Sequence, residues 1–164
     1  GLGYTAREAL ADSRVRSLTV VEYSDAVIDW HQRDLLPDTV GLAADPRVTL
    51  VCADFFAAAT DAAGFDPERP GRTYDAILLD IDHSPRHVLH DPHSAFYTVG
   101  GLRAASAHLS PGGVFAMWSD DAPDDEFGSV LESVFTDVAA QQIWFDNPIT
   151  RGRSAATVYL GTRT

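Results

Sequence analysis

Short apolar runs alternate with amphipathic stretches along most of the chain. The β-branched run 17–22 and the run 48–52 predict strands, and each is followed by apolar residues at helical spacing. A third run, 74–82, does not alternate with polar residues, which is typical of a parallel strand covered on both faces. Strands alternating with helices at this spacing predict an α/β protein with a Rossmann-like, doubly wound, mostly parallel sheet.

The same pattern predicts the remaining elements. Expected helices cover 5–11, the segment after Ser24 that carries Val27, Ile28 and His31, 55–63, 94–109 and 124–138. Further strands are expected at 114–119, 142–145 and 155–160, with the last two forming an antiparallel C-terminal pair, and surface loops at 65–73 and 83–93. A chain of 164 residues that is 45% hydrophobic supports one core, so we predict a single domain over 1–164.

The chain opens on Gly1-Leu2-Gly3, a glycine turn of a kind that normally follows a strand. We therefore expect an upstream strand that belongs in the middle of the sheet, which makes the domain N-terminally incomplete. Without that strand, buried backbone groups of its neighbours would lack hydrogen-bond partners. The sequence on its own is thus expected to be unstable.

Net charge, apolar runs and cysteine content limit the kinds of binding partner and the cellular compartments that suit this sequence. The net charge is −12, which disfavours a nucleic-acid surface and suits a small cationic molecule. No apolar run of 18 residues and no leader pattern is present, so neither a membrane span nor a signal peptide is expected. The single cysteine, Cys52, excludes an internal disulfide and favours a cytoplasmic, reducing compartment.

Three successive predicted strands end in an acid, namely Glu22, Asp54 and Asp80. Because ligands of open parallel sheets bind outside the carboxyl ends of the strands, these acids predict a nucleoside-type ligand. The turn at Gly1 and Gly3 allows a ligand close to the backbone at the start of a helix. The spacing Gly1-x-Gly3-x-x-Ala6 also fits a dinucleotide fingerprint, so a nicotinamide-dependent oxidoreductase stays an alternative at this point.

Four stretches resemble one family. They are Val-Val-Glu-Tyr-Ser-Asp-Ala-Val-Ile at 20–28, Asp-Pro-Arg-Val-Thr-Leu-Val-Cys-Ala-Asp at 45–54, Tyr-Asp-Ala-Ile-Leu-Leu-Asp at 74–80 and Leu-Ser-Pro-Gly-Gly-Val at 109–114. Together they are similar to the spermidine synthase-like group of class I S-adenosylmethionine-dependent transferases. The resemblance implies the class I methyltransferase fold, S-adenosylmethionine or its decarboxylated form as cofactor, a small-molecule acceptor with an amine as one candidate, and a homodimer.

The resemblance also implies roles for individual residues. Gly1 and Gly3 would flank the sulfonium ligand, Glu22 would hold its ribose, and Asp54 with the adjacent Phe55 would contact its adenine. Asp80 would contact the cofactor and act as the catalytic carboxylate, together with Asp82. A carboxylate suits this chemistry because it can bind an ammonium group and accept its proton before the amine attacks.

The chain departs from the family pattern at three places. Leu2 lies where aminopropyltransferases carry an aspartate that binds the amine of decarboxylated S-adenosylmethionine. The acidic loop is Asp80-Ile81-Asp82-His83-Ser84-Pro85 instead of Asp-x-x-Asp-Pro, and the late Pro-Thr-Tyr segment corresponds to Pro148-Ile149-Thr150-Arg151. Transfer of an aminopropyl group, transfer of a methyl group and a binding homologue without catalysis therefore all remain alternatives.

The loop 83–93 is rich in histidine, with His83, His87, His90 and His93 beside Asp82 and Asp91. Their spacing matches no closed zinc pattern, so we assign no metal site. A mobile lid with solvated or pH-responsive histidines is the expected alternative.

Overall fold

The computed structural model describes residues 1–149 and 151–164. Its helices are α1 (Tyr4–Ala11), α2 (Asp25–Gln32), α3 (Phe55–Thr60), α4 (Val99–Ser106) and α5 (Asp125–Glu132). Its strands are β1 (Leu18–Glu22), β2 (Val48–Cys52), β3 (Tyr74–Leu79), β4 (Leu109–Ser119), β5 (Thr136–Asn147) and β6 (Gly152–Thr162). Short 3-10 helices cover Pro37–Thr39, Leu42–Ala44 and Asp91–Tyr97.

Contacts group the chain into two compact units, Gly1–Arg72 and Thr73–Thr164. In the first unit β1 and β2 form a parallel pair, with Leu18 opposite Val48 and Glu22 opposite Cys52. This register places the carboxyl ends of β1 and β2 side by side at the same edge of the two-stranded sheet. The single domain expected over 1–164 stays a prediction.

The second unit has a four-stranded sheet in the order β3-β4-β6-β5. Strands β3 and β4 are parallel, whereas β6 is antiparallel to both β4 and β5. The mostly parallel α/β architecture with an antiparallel C-terminal strand pair is therefore confirmed. Aromatic rings fill the core of this unit, where Phe115 stacks on Phe135 at 5.4 Å and Phe127 meets Tyr159 edge-on at 5.0 Å.

Several predicted boundaries differ from the structure for local reasons. The helix expected over 94–109 is instead the 3-10 helix Asp91–Tyr97 followed by α4, because Thr98 is extended and its hydroxyl caps the new helix at Gly101 N–H. Helices α3 and α5 end earlier than expected, at Thr60 and Glu132. Strand β4 starts at Leu109, so the Pro-Gly-Gly segment lies within a strand that has an irregular register with β3.

Strand β3 was expected to be covered on both faces, and that expectation is wrong for this chain. Ile77 and Leu79 are buried, but Leu78 between them is 47% exposed. Loop 65–73 is also less exposed than its composition suggests, since Phe65 and Asp66 are buried. Asp66 pairs with Arg72 at 3.1 Å, which offsets the cost of burying its charge.

None of the helices that the structure describes is long and apolar enough to cross a membrane.

Candidate active site

The glycine turn of the first unit is held in place from two sides. The imidazole Nε2 of His31 in α2 lies 3.0 Å from the Gly1 carbonyl oxygen, and the Thr39 hydroxyl donates to the Leu2 carbonyl oxygen at 3.0 Å. Because a carbonyl oxygen only accepts, Nε2 of His31 carries the proton. The turn is thus fixed by a side chain of α2 and by one of the 3-10 helix Pro37–Thr39.

Gly3 is the N-cap of α1 and has a φ of +86°. An added Cβ would lie 2.8 Å from both His31 Cε1 and Leu42 Cδ2. Both the backbone conformation and the close packing require glycine here. The backbone at Gly3 is therefore shaped before any ligand binds.

Glu22 ends β1, and its carboxylate lies beside the turn. One oxygen accepts from the Ser24 N–H at 2.8 Å, and the other contacts the amino group of Gly1. Burial raises the pKa of Glu22, whereas hydrogen bonds from the Gly1 nitrogen and from the Ser24 N–H lower it, and the net pKa lies below the ordinary value. Two residues predicted to bind the cofactor, Gly1 and Glu22, are thus brought into contact.

Asp54 lies two residues beyond the end of β2 and caps α3. Its Oδ1 accepts from the N–H groups of Phe56 and Ala57, at 2.8 and 3.2 Å. This cap fixes the side chain, and its other oxygen has no partner among the residues that the structure describes. Phe55 is half-buried and stacks on Phe65 at 5.0 Å. The parallel register of β1 and β2 places Glu22 and Asp54 at the same sheet edge.

Asp80 and Asp82 belong to the second unit and differ sharply in exposure. Asp80 follows the last residue of β3 and is exposed to solvent. The side chain of Asp82 has no exposed surface. Its Oδ1 accepts from Leu89 N–H at 2.7 Å and from His93 Nδ1 at 3.1 Å, while its Oδ2 accepts from the Tyr97 hydroxyl at 2.7 Å. Of these two carboxylates, only that of Asp80 is accessible to a molecule in solution.

Loop 83–93 is fastened to the rest of its unit, whereas a mobile lid was one of the expectations. Beyond Asp82, the Ser84 hydroxyl and the Asp121 carboxylate both contact His87 Nδ1, at 3.2 and 2.9 Å. Hydrogen bonds to the Asp121 carboxylate, chiefly from Ser84 and then from His87, lower the pKa of Asp121. Within the described residues, no group of three or more His, Cys, Asp or Glu side chains could hold a metal ion.

Arg86 provides a further fastening of the same loop. Its guanidinium donates to Asp124 at 2.5 Å and to Glu126 at 2.7 Å, and the Asp124 carboxylate also caps α5. The pKa of Asp124 is lowered, chiefly by Arg86. Sequence reasoning missed Arg86, Asp121 and Asp124 as parts of this fastening, because Arg86 and His87 lie 34 to 40 positions before their acidic partners.

The structure describes most of the positions at which the sequence departs from the family pattern. Leu2 is 49% exposed beside the glycine turn. Arg151 adopts a positive φ of 56° in the turn between β5 and β6, and Thr150 of the same segment lies outside the described residues. Trp118, at the end of β4, is half-buried.

Comparison with known proteins gives one curated relative of particular note. No protein-family model matches the chain. A polyamine aminopropyltransferase of Corynebacterium efficiens is 36% identical over 123 residues, which are 74% of this chain and 22% of that protein. The chain therefore spans about a fifth of the length of this relative.

Solved structures of similar fold include spermidine synthases and methyltransferases. The similarity to spermidine synthase of Thermotoga maritima covers 99% of this chain and 51% of that protein's chain, with a TM-score of 0.68 and 20% sequence identity. The similarity to human methyltransferase-like protein 13, which was solved in complex with SAH, covers 100% of this chain and 68% of that protein's chain. The TM-score is 0.72 and the sequence identity is 18%. These similarities show that this chain shares its fold with both proteins.

Proposed function

We propose that this chain, which resembles the spermidine synthase-like group of class I S-adenosylmethionine-dependent transferases, provides the adenosyl-binding part of a transferase. The observation that carries the proposal is the arrangement at the edge of β1 and β2. There a preformed glycine turn adjoins the Glu22 carboxylate, and Asp54 lies at the end of the neighbouring strand. Carboxylates of this kind can accept hydrogen bonds from ribose hydroxyls and from the amino group of adenine.

S-Adenosylmethionine or its decarboxylated form would supply an electrophilic carbon next to a sulfonium. In the reaction we propose, the acceptor attacks that carbon, the carbon–sulfur bond breaks and the sulfur keeps the electron pair as a thioether. Asp80 binds the acceptor and takes its proton, which fits an exposed carboxylate at a strand end. A chain with a net charge of −12 also attracts a cationic acceptor such as an amine.

The transferred group distinguishes two candidate reactions. Aminopropyl transfer is supported by the 36% identity to a polyamine aminopropyltransferase. Methyl transfer is favoured by Leu2, because a neutral side chain offers no ion pair to the amine of the decarboxylated cofactor. Aminopropyl transfer releases methylthioadenosine, whereas methyl transfer releases S-adenosylhomocysteine, so product identification separates them.

The first experiment is calorimetric titration of the complete protein with S-adenosylmethionine and with its decarboxylated form. Tighter binding of one form identifies the transferred group, and binding of neither contradicts the proposal. NADH is the matched control for the dinucleotide alternative, and its binding in place of both adenosyl ligands would support an oxidoreductase.

Asp80→Asn tests the catalytic role. We expect this variant to bind the preferred adenosyl ligand as the wild type does and to lose turnover by about 100-fold or more, since it cannot accept a proton. Turnover is measured as release of the thioether product with putrescine or spermidine as acceptor. Unchanged turnover in the variant would support a different base, and no turnover in the wild type would support a binding homologue.

A further inference from the structure

Three hydrogen-bond donors converge on the buried Asp82. They are the Leu89 N–H, His93 Nδ1 and the Tyr97 hydroxyl, all within 3.1 Å of a carboxylate oxygen. Both oxygens are engaged, and the side chain has no exposed surface. An acceptor molecule therefore has no route to this carboxylate, although Asp82 lies only two residues beyond Asp80.

The three donors come from separate parts of the loop that follows Asp82. Leu89 lies in its middle, His93 lies at its end, and Tyr97 is the last residue of the 3-10 helix that continues it. A single carboxylate thus ties the start of loop 83–93 to its middle and its end. Because the accepting carboxylate is charged and has no exposed surface, losing one of these bonds removes a charge-assisted hydrogen bond that water cannot replace at the carboxylate.

The protonation states follow from the same contacts. Burial, followed by the hydrogen bond to Asp82, raises the pKa of Tyr97, so its hydroxyl keeps the proton that it donates. A carboxylate only accepts, and His93 therefore carries a proton on Nδ1. Free histidine prefers its proton on Nε2, so this tautomer is a marker of the contact that can be measured.

The loop is also tied to the neighbouring strand. Asp120 N–H, directly after β4, donates to the His83 carbonyl oxygen at 2.7 Å. Since Leu79 of β3 pairs with Met117 of β4, the loop leaves the sheet at the edge where Asp80 lies.

We propose that Asp82, His93 and Tyr97 form a positioning cluster that holds loop 83–93 at the edge carrying Asp80, where the loop forms the acceptor side of the site. The proposal rests on the transferase function above. It divides the two acids between two tasks, so that Asp80 contacts the acceptor and Asp82 acts through the loop. Asp82 was expected to be catalytic, and its burial favours this positioning role instead.

The test compares Asp82→Asn and Tyr97→Phe with Asp75→Asn in the complete protein. Asp75 lies in β3, the strand that precedes Asp80 and Asp82, and it is exposed. Its side chain makes no hydrogen bond or ion pair in the described part of the chain, so Asp75→Asn removes one negative charge without removing such a bond. Tyr97→Phe removes one hydroxyl and keeps the buried carboxylate, which guards against simple failure to fold. Asp82→Asn keeps the shape of the side chain and loses its full accepting capacity.

Two measurements are made on each variant. Hydrogen–deuterium exchange of the backbone amides from 84 to 91, except Pro85, needs no ligand, and we expect it to become about tenfold faster in both cluster variants, the change that about 1.4 kcal/mol produces. Nitrogen NMR of the wild type should show the His93 proton on Nδ1, as the contact with Asp82 requires. Asp75→Asn should match the wild type in both.

Kinetics then separate positioning from catalysis. With putrescine or spermidine as acceptor, we expect KM for the acceptor to rise about tenfold in Tyr97→Phe, while kcat changes less and binding of the adenosyl ligand is unchanged. Loss of kcat in Asp82→Asn with unchanged loop exchange would show that Asp82 acts on the acceptor directly and would overturn the proposal. Loop exchange equal to that of Asp75→Asn in both variants would also overturn it, whether or not the protein proves to be a transferase.

Discussion

At the scale of single residues, the candidate site depends on conformations that only particular side chains permit. Gly3 has a positive φ and packs directly on His31 and Leu42. Asp54 caps α3 with one carboxylate oxygen, and in the proposed function its other oxygen binds the adenosyl ligand. Under that proposal these residues couple local stability to ligand binding, and substitutions can separate the two contributions.

Gly3→Ala should destabilise the first unit by roughly 2–4 kcal/mol, because strain at positive φ adds to the contact with His31 and Leu42. Urea unfolding measures this loss. Gly41→Ala is the matched control, since Gly41 has a φ of +81° in the same unit and an added Cβ there meets nothing within 4 Å. Equal losses in both variants would show that close packing at Gly3 contributes nothing.

Asp54→Asn should keep the cap of α3 and its stability, whereas Asp54→Ala should lose about 1 kcal/mol. Both variants should bind the adenosyl ligand less tightly, because neither retains the carboxylate that we assign to adenine. Thermal unfolding and calorimetric titration measure the two effects separately. Wild-type affinity in Asp54→Asn would contradict the assigned role.

At the scale of elements, arginine side chains connect segments that the sheet alone does not join. Arg47 precedes β2, pairs with Asp45 at 2.7 Å and donates to the carbonyl oxygens of Leu10 and Val15. It thereby fastens the end of α1 to the start of β2. The planar, five-donor guanidinium is suited to this, and a lysine could not replace all of its bonds.

The Asp45–Arg47 pair predicts a specific response to acid. Hydrogen bonds from Arg47 lower the pKa of Asp45 to about 2. A lowered carboxyl pKa contributes stability that is fully present above the unfolded pKa of about 4 and is lost as the pH falls through about 2. Carbon NMR should follow the titration of Asp45, and Arg47→Met should move its midpoint back towards the ordinary value. A midpoint near 4 in the wild type would contradict the pairing.

At the scale of the whole molecule, the excess of acidic residues bears on the choice of acceptor. With a net charge of −12, the protein should concentrate cations near its surface at low ionic strength. We expect KM for a polyamine acceptor to rise several-fold between about 20 and 200 mM salt. An uncharged acceptor measured in the same buffers is the control, and an equal rise for both would exclude electrostatic attraction as the cause.

The sequence predicted well those features that depend on neighbouring residues. Strands β1 and β2 lie where β-branched runs and turns place them. Glu22 is the last residue of β1, and Asp54 and Asp80 follow the ends of β2 and β3. The burial of Asp82 could not be predicted, because its partners His93 and Tyr97 are 11 and 15 residues away and meet it only in the folded unit. The exposure of Leu78 was missed for a similar reason, since an apolar run does not reveal which faces are covered.

Strand β6 lies between β4 and β5, although it follows both along the chain. During translation, the ribosome therefore releases β3, β4 and β5 before the strand that joins them. Until β6 emerges, β4 has a bare edge and β5 has no partner, so a nascent chain of this length should recruit chaperones that recognise exposed strands. Synthesis of the last strand then completes the sheet of the second unit in one step.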